Sequence, residues 1–332
     1  MRNLITDVAG INVGNSKSEG LKSGATAILC DEPAISACHV MGGAPGTRDT
    51  DLLAPHNTVE KVDGIVLSGG SAFGLDACGG AQSFLRTQGR GFEVGGHRIP
   101  IVPGAILFDL VNGGDKNWGL HSPYRDLGYQ AAEAAASDFA IGTEGAGTGA
   151  IVAGLKGGLG SASTQMKSGA TIGALAAVNA LGNPVMGDSG HFWAAPFEQD
   201  GEFGGRGLPS TLPARTSDIA IKFRDEPAAG RNTTIAVVAT DASLTKAEAA
   251  RLAMVTHDGF ARALWPSHTP FDGDIVFALA TGTHGRLNSM DEWIDLCALA
   301  SATMARAIAR GVHAASPAAG DPYPTWQQKF GQ

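Results

Sequence analysis

A hydroxyl residue that opens an apolar strand directly after a polar run is how a chain looks when it cuts itself to expose a nucleophile. Here a run from Arg224 to Arg231, containing Pro227 and Gly230, ends at Asn232, and Thr233-Thr234-Ile235-Ala236-Val237-Val238-Ala239-Thr240 follows. A threonine hydroxyl is a poor nucleophile unless a base sits beside it, and cleavage before Thr233 frees an α-amine on that same residue. The ordinary pKa of such an amine is about 8, so a sizeable fraction is neutral near pH 7. Alone, the segment reads equally as a strand that begins with two threonines. It needs partners elsewhere in the chain.

Three candidate partners stand out. The window from Gly145 to Gly187 has no acidic residue, and Lys156 and Lys167 are its only charged side chains. If Lys156 lies inside, desolvation lowers its pKa and makes it a usable proton shuttle; the plain alternative is a lysine snorkelling from a strand edge. Asn179 interrupts the apolar run Ala177-Val178-Asn179-Ala180. A buried amide there either serves a structural hydrogen bond or donates to an oxyanion. Pro270-Phe271-Asp272-Gly273-Asp274 precedes a strand. Asp-Gly signals a hairpin turn, yet two carboxylates at that place, Asp272 and Asp274, also suit the orientation of an ammonium group.

Other motifs carry less. Gly145-Ala146-Gly147-Thr148-Gly149-Ala150 fits a dinucleotide-binding pattern, but a strand-like run follows it and no acid appears about 20 residues on. Gly187-Asp188-Ser189-Gly190 echoes a serine-protease nucleophile segment, against which the strong helices speak. Ser68-Gly69-Gly70-Ser71 reads as a strand-to-helix turn, either purely structural or with free amides at Gly69 and Gly70 that hold an anion or a carbonyl oxygen.

The elements that must position these residues follow from periodicity. Ala25–Leu29, Ala34–Met41, Gly64–Leu67, Ile99–Leu110, Ala150–Leu155, Ala162–Met166, Thr171–Leu181, Ile219–Phe223 and Ile275–Thr281 read as strands. Asp76–Gln88 and Arg125–Ser137 read as helices. Two more begin at capping boxes, Thr245-Lys246-Ala247-Glu248 and Ser289-Met290-Asp291-Glu292. Leu252, Val255, Gly259 and Ala263 form the core stripe of the first; Ile294, Cys297, Ser301, Met304, Ile308 and Val312 form that of the second. The tail from Ser316, with three prolines, reads as a loose extension or an arm over a neighbour. Strand runs interleaved with a few long helices predict an α/β fold in which helices cover the outer faces of sheets. No composition break divides the chain into two domains.

Composition narrows the class. Of 332 residues 43% are apolar and 17% charged, which permits a sizeable core, and the 47 glycines imply many tight turns and close backbone approaches. A net charge of −8 argues against nucleic acid and anionic membrane as partners. The first residues lack the apolar stretch of a signal peptide. The cysteines Cys30, Cys38, Cys78 and Cys297 show no metal or disulfide spacing. A reduced cytoplasmic protein is expected.

Together these motifs, in this order and spacing, resemble the L-aminopeptidase/D-amidase-esterase (DmpA) family of self-processing N-terminal-nucleophile hydrolases. That family includes β-aminopeptidases and the nylon-oligomer endohydrolase. The resemblance runs from Thr6-Asp7-Val8-Ala9-Gly10 to the last helix, and is most specific at Asn232-Thr233-Thr234-Ile235 and Pro270-Phe271-Asp272-Gly273-Asp274. It implies an αββα sandwich, two β-sheets between helix layers, forming one domain over 1–332 that is autocleaved into 1–232 and 233–332. It implies Thr233 as nucleophile after cleavage at Asn232, with Lys156, Asn179, Asp272 and Asp274 as the other catalytic residues. It further implies no cofactor and no metal, a small peptide or amide substrate, and a homo-oligomer, a tetramer of processed units. One departure concerns substrate binding. Phe108-Asp109 replaces a Tyr-Asp pair, and Ile106 lies where β-aminopeptidases carry the glutamate that receives a substrate amine, which favours amide or ester substrates without strict dependence on a free amine.

The expectation is therefore a cofactor-free amidohydrolase or aminopeptidase acting through an acyl-enzyme on Thr233. Two alternatives stand beside it: acyl transfer of the ornithine-acetyltransferase type, and a glycine-rich nucleotide-binding module.

Overall fold

The computed structural model describes residues 1–224 and 232–331. The polar run before Asn232 lies outside the described residues from 225 to 231. In chain order the first strands are β1 (Ile11–Ser18), β2 (Ser23–Val40), β3 (Thr47–Arg48) and β4 (Lys61–Ser68), and helix α1 (Asp76–Thr87) follows. Next come β5 (Phe92–Val94), β6 (His97–Ile99), β7 (Gly104–Ile106) and α2 (Tyr124–Glu133). Then β8 (Ile151–Val152), β9 (Leu155–Lys156), β10 (Gly158–Gln165), β11 (Thr171–Asn179) and β12 (Thr233–Ala242) lead to α3 (Lys246–Thr256) and α4 (Asp258–Ala261). The chain closes with β13 (Ile275–Gly285), α5 (Met290–His313) and α6 (Trp326–Phe330).

Nine strands form one hydrogen-bonded sheet in the order β10-β11-β12-β13-β2-β4-β7-β3, with β1 added to β2. Strand β2 is the hinge of this sheet. Its first half pairs with β1 and its second half with β13. The pairing register with β4 shifts between Leu29 and Ala34, across the exposed Asp31-Glu32-Pro33. The one sheet thus doubles over into two layers.

Alternation along the strands shows the layering, because successive side chains point to opposite faces. Leu175, Ala177, Ile235, Val237, Ile275 and Phe277 meet Ile28, Ile65 and Leu67 in a core between the two sheet layers. Their neighbours Ala174, Ala176, Val178, Ala236, Val238 and Ala278 pack under Leu252 of α3 and Met304 and Ile308 of α5. Ala25, Ala27, Leu29 and Val66 lie under Leu85 of α1 and Leu127 and Ala131 of α2. The order is helix, sheet, sheet, helix, as expected. Strands β11 and β12 are buried along their whole length, which suits their continuous apolar runs. Each large side chain so buried is worth roughly 1.5–3 kcal/mol. Small residues bring α5 close to the sheet: a Cβ on Gly160 of β10 would lie 1.9 Å from the Ala307 carbonyl oxygen of α5.

Several expected elements differ. Ile99–Leu110 is not one strand; it supplies the end of β6 and then the separate β7. Ala150–Leu155 is a tight hairpin of β8 and β9 instead of a strand. Ile219–Phe223 joins no sheet, and the chain turns at Lys222–Arg224. The helix from Thr245 has both capping-box bonds but ends at Thr256 and restarts at Asp258, leaving Val255 only half-buried. At the start of α5 Ser289 accepts the Glu292 amide, while Ile294 is exposed because the first turns of this helix reach beyond the sheet. The tail is no loose arm. It folds back on its own chain, where Trp326 is buried and stacks on Phe192. No helix among the described residues is long and apolar enough to cross a membrane.

Candidate active site

Thr233 is the first residue of β12 and pairs across the antiparallel ladder with Asn179, the last residue of β11. On the other side β12 runs parallel to β13, and Asn232 bridges to Asp272 just before that strand begins. The Asp272-Gly273 pair therefore makes no hairpin; it feeds a parallel strand. Thr233 is buried, and its Oγ1 donates to the Asn232 carbonyl oxygen at 2.5 Å. The same oxygen accepts the Gly273 N–H at 2.8 Å. A polarised carbonyl and a hydroxyl thus meet on one peptide bond. The space is tight, since a Cβ on Gly273 would lie 2.7 Å from Thr233 Oγ1. The carboxamide nitrogen of Asn232 is buried and has no hydrogen-bond partner among the described residues.

Both aspartates are buried beside Thr233. Asp274 accepts the Thr234 N–H on Oδ1 at 2.8 Å, and its Oδ2 faces His268 Nδ1 at 2.9 Å. Asp272 accepts the Thr269 amide at 2.8 Å and the Leu181 amide at 3.3 Å. Burial, and then repulsion from Asp274, raises the pKa of Asp272. Burial works against a charge on His268, but the Asp274 carboxylate overcomes it and holds that pKa above the ordinary histidine value. His257, edge to face with His268, is pushed down to about 4, chiefly by burial.

Asn179 is fully buried, and its side-chain oxygen is fully engaged. Its Oδ1 accepts from the Ile151 amide at 3.0 Å, Lys222 Nζ at 3.1 Å and Asn112 Nδ2 at 3.3 Å. Its Nδ2 donates to the Phe108 carbonyl at 3.0 Å. Lys222 also donates to the carbonyls of Ile151 at 2.7 Å and Asn179 at 2.9 Å. Sequence reading had passed over this lysine. Its signal was a charge inside the apolar run Ile219-Ala220-Ile221-Lys222-Phe223, read there as a strand.

The structure brings Thr233, Asn179, Asp272 and Asp274 together. Lys156 is buried on β9, and its ammonium pairs with Asp321 of the tail at 2.6 Å. The glycine turn is also different from a free anion hole. The Gly69 amide binds the Gly24 carbonyl, and the Gly70 amide binds the buried carboxylate of Asp109 at 2.8 Å. The anion it holds is the chain's own. Ile106 is buried, lying over Gly46, while Phe108 is half-buried. Ser189 donates to Met186 in a local turn, and Gly145–Gly147 forms a short 3-10 turn with no Rossmann helix after it.

Residues 3–323 match Peptidase family S58. An uncharacterised aminopeptidase of Mycobacterium tuberculosis is 42% identical over 348 residues, covering 99% of this chain and 98% of that protein. The 6-aminohexanoate-oligomer endohydrolase of a Kocuria strain is 27% identical over 288 residues, covering 83% of this chain and 74% of its own. Among solved structures, a Burkholderia β-aminopeptidase superposes with a TM-score of 0.70 at 21% identity, over 99% of this chain and 92% of that one. The L-aminopeptidase/D-Ala-esterase/amidase of Ochrobactrum anthropi, described as a variant of the Ntn hydrolase fold, gives 0.66 at 21% identity, over 97% and 89%. These likenesses favour neither acyl transfer nor nucleotide binding. With its four-layer fold and its match over nearly the full length, the chain belongs to peptidase family S58 and is a hydrolase of peptide bonds.

Proposed function

We propose that the chain is a self-processing N-terminal-threonine aminopeptidase or amidase, with Thr233 as the nucleophile of both maturation and turnover. The observation that carries this reading is the Thr233 hydroxyl 2.5 Å from the Asn232 carbonyl oxygen, with the Gly273 N–H on that oxygen. Attack by Oγ1 on the Asn232 carbonyl carbon closes a five-membered ring, and negative charge develops on an oxygen that already faces a backbone donor. The C–N bond then breaks, the hydroxyl proton ends on the Thr233 nitrogen, and water hydrolyses the ester to a carboxylate at Asn232. The freed α-amine then serves as base for the hydroxyl beside it. In turnover it takes the Oγ1 proton as the oxygen attacks a substrate amide, and passes that proton to the departing amine. Water then releases the acyl group.

Asp274, held by the Thr234 amide and His268, anchors the new amino terminus. Asn179, opposite Thr233, is the side-chain donor nearest in the ladder for a substrate oxyanion. Small peptides and amino-acid amides are the substrate class that agrees with the aminopeptidase relatives. Mass spectrometry of the purified protein tests the reading. A smaller fragment beginning at Thr233 is expected, absent in Thr233→Ala together with activity and partly retained in Thr233→Ser. An uncleaved Thr233→Ala protein with undiminished hydrolysis would refute it.

A further inference from the structure

Lys222 stands 11 positions before Thr233, on the amino-terminal side of the Asn232–Thr233 bond. Its buried ammonium spends its donors on Ile151 O, Asn179 O and Asn179 Oδ1. Its backbone N–H donates to Leu181 O, while the Leu181 N–H binds Asp272. One short segment thus holds both Asn179, which faces the nucleophile, and the residue that positions Asp272. Burial drives the Lys222 pKa well below the usual lysine range, and the carboxylates of Asp272 and Asp109 oppose that shift.

The intact and cleaved chains differ in what the site contains. Before cleavage the Thr233 nitrogen is an amide and carries no charge. After cleavage it is an amine beside the same aspartates, and the covalent tie between Lys222 and Thr233 has gone. We propose that Lys222 is a positioning residue for self-cleavage: it locks Asn179 and the end of β11 against Thr233 while the chain is intact. This rests on the reading of Thr233 as the self-cleaving nucleophile. Lys222 fixes the carboxamide of Asn179 by gripping its oxygen, and so directs the amide nitrogen.

The experiment follows cleavage of the full chain over time by gel and mass spectrometry, in the wild type and in Lys222→Met, which keeps the side-chain length and removes the donors. Expected is cleavage slowed by about tenfold or more, the size of a lost hydrogen bond to a charged group. Lys222→Ala supplies a second arm, since it leaves space for an alkylammonium ion of three carbons. n-Propylammonium chloride should accelerate cleavage of that variant, and sodium chloride at equal ionic strength should not, a response that a purely packing role does not give. Wild-type cleavage rates in Lys222→Met overturn the proposal, as does no effect of n-propylammonium on Lys222→Ala. A wild-type chain that never cleaves at Thr233 would instead refute the parent reading.

Discussion

Asn179 and Thr233 are directly paired across the ladder of β11 and β12, the last residue of one strand opposite the first of the next. The backbone therefore sets Thr233 directly opposite a carboxamide whose nitrogen gives one N–H to the Phe108 carbonyl and keeps a second. Asn179→Asp is the informative change. It keeps an oxygen for Ile151, Lys222 and Asn112 while removing the Nδ2 donor. With the fold intact, kcat should fall by about 10²–10³, as when one oxyanion donor is removed. Steady-state hydrolysis of an aminoacyl p-nitroanilide measures this, and an unchanged kcat would take Nδ2 out of the reaction.

Gly273 should tolerate no side chain. The nearest atoms to an added Cβ are the Ala44 carbonyl oxygen and Thr233 Oγ1, both at 2.7 Å, and Gly273 also donates to the Asn232 carbonyl oxygen. Overpacking of this kind costs typically about 1–3 kcal/mol, so Gly273→Ala should still fold. It should remain uncleaved, because relief of the clash moves either the hydroxyl or the N–H. Intact mass after prolonged incubation beside the wild type provides the check; a cleaved Gly273→Ala chain would mean that this N–H is dispensable.

The His268–Asp274 pair predicts a pH dependence with a definite sign. His268 is mostly buried and its folded pKa is raised by Asp274. A raised pKa means that its stabilisation is fully present below the unfolded value of about 6.5 and is lost as pH rises through the folded value. The facing groups are Asp274 and, at longer range, Asp272, with His257 edge to face and held neutral near pH 7. Thermal denaturation of wild type and His268→Gln should therefore show a gap that is widest near pH 6 and narrows in alkaline buffer. A gap of constant size would show that the ring acts by shape alone.

Much of this site was legible because it lies on strand ends with local signatures. Thr233 opens an apolar run, Asn179 closes one, and Asp272-Gly273-Asp274 stands at the mouth of a third. The apolar runs of β11, β12 and β13 likewise marked the strands of the sheet core. What sequence withheld were contacts made by distant segments. Lys222 and Asn179 are 43 positions apart and meet only in the fold. Asp109 reaches the Gly70 amide over 39 positions and fills a turn that looked open. Ile219–Phe223 has the composition of a strand but spends its backbone at Leu181 and its lysine at Asn179.

Lys156 supplies the last prediction, because its burial has two rival explanations that one experiment separates. Its ammonium binds Asp321, which Lys22 also holds at 2.9 Å, and its backbone N–H donates to Pro324, so the pair clasps the tail to β9. Burial raises the Asp321 pKa, but the two lysines outweigh it and leave the carboxyl below its usual range. If the clasp is the lysine's main task, Lys156→Met and Asp321→Asn should each destabilise the protein, and the double variant should lose less than the sum. Contacting pairs of this kind show coupling of about 0.5–3 kcal/mol. The Asp321 contribution should be present above its unfolded pKa of about 3.9 and disappear as pH falls through the folded value. If Lys156 instead moves a proton in the reaction, Lys156→Met should lower kcat by about 10²-fold or more while Asp321→Asn leaves it nearly unchanged. Urea denaturation and steady-state kinetics on the same three variants decide the matter. Equal and small effects of the two single changes on kcat, with strong non-additivity in stability, would place Lys156 in the clasp and leave the chemistry to Thr233, Asn179 and the aspartates.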